Sequence, residues 1–92
     1  MYTFFSSMIV PDPDAFIEMS KSHPQEQLDA WGVVEQTIFR ATDSNRVMII
    51  GTYETLEKAQ KHKAEIESPE VEARMKQMGV QLPMDLWIAE KA

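Results

Sequence analysis

The chain contains no cysteine, which excludes disulfide staples, iron–sulfur clusters and thiolate zinc sites. Glycine is scarce, at three of 92 residues, so sharp backbone reversals must fall at a few readable positions. No apolar run approaches the ~20 residues of a membrane span; VMIIG is among the longest. Basic residues are the minority. Nine Lys and Arg against fifteen Asp and Glu leave a net charge of −6, which repels phosphate backbones, and no basic stripe with interleaved aromatics is present. Neither nucleic acid nor a membrane is an expected partner. The first residues lack the basic stretch and long apolar core of a secretory leader, so a cytoplasmic location is expected.

What is present is apolar sequence patterned for two-sided burial. In MYTFFSSMIV, Tyr2, Phe4, Met8 and Val10 share one parity while Phe5 and Ile9 hold the other, and a strand sends alternate side chains to opposite faces. RVMIIGTY repeats this with Val47 and Ile49 against Met48 and Ile50, and MDLWIA with Met84, Leu86 and Ile88 against Trp87 and Ala89. One domain over residues 1–92 is expected, burying only about 60 to 65 per cent of its unfolded surface, so association is a natural route to stability. The seven methionines add adaptable packing.

Punctuation along the chain orders the elements. A strand over residues 2–10 stops at Val10-Pro11, and Asp12 caps a helix with Pro13 in its first turn, where a missing N–H costs nothing. Phe16, Ile17 and Met19 make its apolar stripe. Ser22-His23-Pro24 interrupts the helix before a short amphipathic piece through Leu28 and Trp31, which Gly32 ends. Residues 33–41 and 46–53 form an antiparallel hairpin across the polar turn ATDSNR. Thr55 caps the next helix, with Leu56, Ala59 and Ile66 on one side, and Ser68-Pro69 restarts it through Val71, Met75 and Met78 to Gly79. Pro83 precedes the last strand. The order is βαββαβ, an α+β fold, and right-handed crossovers put both helical segments on one face of a four-stranded sheet. The other face is bare and apolar, and a second copy of the chain is expected to cover it sheet to sheet.

The residues VPDPDAFIEM, AWGVVEQTIF and VMIIGTYETLEKAQKH followed by ESPEVEARM resemble the dimeric α+β barrel proteins of the antibiotic-biosynthesis-monooxygenase-like group. In that group a strand ends in an aromatic, a helix then carries an Ala and a His, and Ser-Pro restarts the helix; Tyr53, Ala59, His62 and Ser68-Pro69 occupy those places. Tyr53 stands where a Trp is usual, and Glu70 where a His is frequent. The resemblance implies a ferredoxin-like protomer with an antiparallel sheet, a homodimer, and small-molecule pockets between sheet and helices. Members include cofactor-free monooxygenases, isomerases, haem-degrading enzymes and proteins with no known activity.

Candidate site residues follow from chemistry and from that likeness. His62 lies roughly 70° from the centre of the stripe through Leu56, Ala59 and Ile66, so it faces either a pocket, as a base for an acidic phenol, or solvent among Lys58, Lys61 and Lys63. Lys63 lies nearer the stripe centre. Tyr53, with His62, would carry any catalysis. One of Ser6 and Ser7 must face a cavity, where a hydroxyl can orient a ligand, unless each is merely small where another element approaches. Trp87 belongs to the dimer face or a cavity lining, Trp31 to the core. Glu35 shares a parity with Val33, Thr37 and Phe39, and is either a buried carboxylate or solvent decoration. His62 and Glu65, at i and i+3, offer only two ligands and His23 sits in a distant loop, so no metal is expected, and no motif asks for a cofactor. Three functions stay open: a cofactor-independent oxygenase acting on a polycyclic phenol, a non-catalytic dimer binding an apolar or aromatic metabolite, and a structural dimer.

Overall fold

The computed structural model describes residues 1–92. In chain order the elements are β1 (Tyr2–Ile9), α1 (Pro13–Lys21), α2 (Gln25–Trp31), β2 (Val33–Arg40), β3 (Arg46–Tyr53), α3 (Leu56–Ile66), α4 (Pro69–Gln77) and β4 (Gln81–Glu90). The strands form one sheet in the order β2-β3-β1-β4, antiparallel throughout. This is the α+β, ferredoxin-like βαββαβ arrangement expected from the sequence.

Helix boundaries sit where the caps place them. Asp12 accepts a hydrogen bond from the Ala15 N–H, Thr55 from Lys58 and Ser68 from Val71, each satisfying a donor the first turn leaves free. Gly32 closes α2 at φ 81°, a left-handed conformation that costs glycine nothing.

All helices lie against one face of the sheet, which carries Phe4, Ser6, Met8, Val47, Ile49, Gly51, Tyr53 and Leu86. Two separate buried clusters form there. Met8, Val10, Phe16, Val47 and Val80 make one; Phe4, Val33, Tyr53 and Ala59 make the other. The opposite face is bare, with Phe5 stacked on Trp87 at 4.9 Å and Phe39 and Trp87 exposed at 54% and 42%. At one end of that face the Arg46 guanidinium donates to Ser7 Oγ at 2.7 Å and lies 3.4 Å from Asp85.

Three expectations are corrected. Pro83 lies inside β4 rather than before it: β4 is an edge strand whose register against β1 shifts between Ser7 and Ile9, so no ladder donor is required at the proline. Val33 does not share a face with Glu35 and Phe39, because an irregularity at Val34 breaks the β2 alternation; Val33 is buried and Glu35 is exposed. The inward stripe of α3 runs through Ala59, His62 and Ile66, leaving Leu56 40% exposed. Lys63, beside that stripe, is half-buried and its ammonium reaches Glu67 at 2.9 Å.

Candidate functional site

Between the two buried clusters the helices do not close over the sheet, and a cavity of about 460 Å³ remains. Its floor is the centre of the sheet, with Phe4, Ser6, Gly51 and Leu86; α1 contributes Phe16 and Met19, and α3 with α4 contributes His62, Ile66 and Met75. Of its 23 lining residues 13 are hydrophobic, a composition and size suited to a small organic molecule.

The polar centre of the cavity is built by two neighbouring elements. Tyr53 ends β3, and a Cβ added at Gly51 would come within 3.3 Å of its ring and 3.4 Å of its hydroxyl. The glycine thus lets the phenol lie back along its own strand. Its hydroxyl is hydrogen-bonded to His62 Nδ1, from the second turn of α3. Trp31 stacks on the imidazole at 4.6 Å and 20°, and Phe4 meets it edge-on at 5.9 Å and 79°. His23 in turn meets the Trp31 ring edge-on at 5.1 Å.

Burial sets the protonation states. It lowers the His62 pKa below the ordinary histidine value; Glu65 raises it in part and His23 lowers it further. Burial likewise pushes the Tyr53 phenol above its ordinary value. Both groups are therefore neutral at pH 7. His62 Nε2 has no protein partner, yet no fully buried side-chain nitrogen or oxygen lacks one, so Nε2 opens to accessible space. Ser6 Oγ on the cavity floor is open by the same reasoning. Ser20 and Ser68, also in the lining, are engaged with the Phe16 carbonyl and the Val71 N–H.

No protein-family model matches the sequence, and neither does any curated protein sequence. Solved structures match its shape. A candidate antibiotic biosynthesis monooxygenase from Deinococcus radiodurans superposes with TM-score 0.69 at 12% identity, over 100% of this chain and 93% of its own. One from Nitrosomonas europaea gives 0.67 at 18% identity, over 99% and 98%. A dimeric ferredoxin-like protein from an uncultured marine organism gives 0.68 at 13%, over 99% and 94%. The chain has the ferredoxin-like fold of these proteins. At such identities the likeness speaks for the fold alone.

Within this ferredoxin-like frame the sequence candidates separate cleanly. His62, Tyr53 and Ser6 come together in the cavity. Ser7, Trp87 and Glu35 lie on the bare face, because each pairs out of phase with the cavity floor: Ser7 opposite Met48 and Asp85, Trp87 opposite Phe5, Glu35 opposite Thr52. His62 and Glu65 both line the cavity, but no group of three or more His, Asp or Glu side chains gathers to hold a metal. Gly51 was missed; its signal is a lone glycine inside an apolar strand, which marks a close approach. Trp31, an aromatic able to line a pocket but expected in the core, does both, packing on the second cluster and lining the cavity.

Proposed function

We propose that the protein binds a flat, hydroxyl-bearing aromatic molecule in this cavity and that His62 accepts a proton from it, each protomer working within a sheet-to-sheet homodimer. The observation that carries this reading is the Tyr53–His62 pair in the wall of a mainly apolar cavity, with Nε2 accessible and without a protein partner. When Nδ1–H donates to Tyr53 Oη, the Nε2 lone pair is free. An acidic phenol or enol then gives its proton to Nε2, and the electron pair stays on the ligand as a phenolate with carbanion character at a ring carbon. Ser6 Oγ fixes a second ligand oxygen.

Dioxygen is taken as the co-reactant in this reading, since fold neighbours are described as candidate antibiotic biosynthesis monooxygenases. The carbanion carbon bonds to one oxygen atom, the imidazolium returns the proton to the distal oxygen, and the hydroperoxide loses water. One oxygen stays as a carbonyl on the ligand and the other leaves in the water, so the substrate is its own reductant. The apolar walls exclude bulk water, and holding the ring against a base supplies proximity. A second reading, sequestration without chemistry, draws on the same burial, which weakens His62 as a base.

The bare face supports the dimer, since an isolated chain rarely leaves an apolar face larger than about 300–600 Å² to water. A fold neighbour is described as a dimeric ferredoxin-like protein. His62→Ala tests the chemical reading. With an oxidisable polycyclic phenol, turnover should fall roughly a hundredfold or more while binding, followed by quenching of Trp31 fluorescence, stays within a few-fold. Turnover left intact by the substitution sinks the proton-acceptor role; binding with no turnover even in the unaltered protein leaves sequestration standing.

A further inference from the structure

The imidazole of His62 is held on more than one side. Tyr53 Oη bonds its Nδ1, Phe4 presents a ring at 79° and 5.9 Å, and the Trp31 indole lies nearly parallel at 4.6 Å. Trp31 is the last residue of α2, a seven-residue helix that buries none of its side chains. Trp31 is half-buried, packs against the cluster of Phe4, Val33, Tyr53 and Ala59, and rests on a titratable ring in the cavity wall. The remaining question is what that contact does when His62 carries a proton.

We propose that Trp31 is a positioning residue for His62, its indole face fixing the imidazole plane and stabilising the imidazolium that forms when His62 accepts a proton. This rests on the reading of His62 as proton acceptor and extends it. The face of an indole carries negative charge density, and a cation within about 6 Å of the ring centroid is attracted to it, more strongly where water is excluded. Burial alone penalises the imidazolium. Around it, Glu65 on α3 favours the cation and His23 in the α1–α2 linker opposes it, while Tyr53 on β3 is neutral; Glu70 and Arg74 on α4 line the same cavity with opposite charges. Glu65, Glu70 and Arg74 are exposed, so water and salt screen them. The Tyr53 hydroxyl at Nδ1 and the stacked indole are the stabilisers in direct contact.

The test reads His62 itself, in the ligand-free protein, by following its ring signals in an NMR titration. Trp31→Leu keeps apolar cover but removes the π face. It should lower the His62 midpoint by about half a unit to one unit, with Trp31→Phe falling between Leu and the unaltered protein. In the unaltered protein the His62 ring protons should be displaced upfield by the indole above them. A midpoint that stays put or rises in Trp31→Leu, or ring protons without that displacement, overturns the proposal. Because the displacement is measured without any substitution, a variant that fails to fold does not shelter the idea. Loss of the proton-acceptor reading would show separately, as turnover insensitive to His62→Ala.

Discussion

At the scale of single residues, a histidine kept neutral by burial ties stability to pH. Its folded-state pKa lies below the ordinary value of 6.5, so as pH falls from about 6.5 the unfolded chain binds the proton first. Stability should therefore decline between pH 7 and pH 5, ahead of the carboxylates. His62→Gln should flatten that part of the curve, checked by denaturant midpoints at fixed ionic strength; a slope unchanged by the substitution would contradict the buried, neutral state. The Tyr53 phenol, raised by the same desolvation, gives the opposite sign at the alkaline end: its contribution is intact below pH 10 and fades above it. His62 was legible as a candidate from its place in the sequence, yet not its direction. An edge of a helical stripe is decided by a rotation of a few tens of degrees, and only the packing of Ala59 and Ile66 against the sheet fixes that rotation.

At the scale of elements, the helix starts are local chemistry and should respond locally. Thr55 Oγ1 accepts from the Lys58 N–H at 3.2 Å, so Thr55→Ala should cost about 1 kcal/mol of stability, measured by urea unfolding. It should leave the His62 midpoint in place, because the frayed first turn of α3 lies a turn or more before the imidazole. A shift of that midpoint would mean that α3 moves as a rigid rod. The stops at Ser22-His23-Pro24 and Ser68-Pro69 were readable for the same reason: caps and prolines act within one turn. β2 was not fully readable. Its irregularity at Val34 arises from pairing with β3, a partner whose register a local window does not contain.

At the scale of the whole molecule, the two faces of the sheet predict two different failures. Ile50 lies on the bare face between Phe5 and Thr37, while Ile49 lies on the helix side between Ser6 and Ile38. Ile50→Asp should give a soluble single-chain species by sedimentation, and Ile49→Asp should abolish cooperative folding. For the unaltered protein, sedimentation at micromolar concentration should give twice the chain mass, with a melting temperature that falls on dilution. Identical behaviour of the two variants would refute the division of labour between the faces, and a stable monomer would refute the dimer.

Alternation of side chains, capping residues and the scarcity of glycine determined the element order and the existence of a two-faced sheet, because each is a property of neighbours along the chain. Side-chain chemistry and the family resemblance brought Tyr53, His62 and the Ser6–Ser7 pair forward as candidates. Which face each strand parity meets was left to the tertiary structure, since a period of two is the same seen from either side. Placing Trp31 on His62, and opening a cavity between two buried clusters rather than one continuous core, likewise required the helices to be laid on the sheet: those contacts join residues from separate elements, and their distances are set by packing that no local pattern encodes.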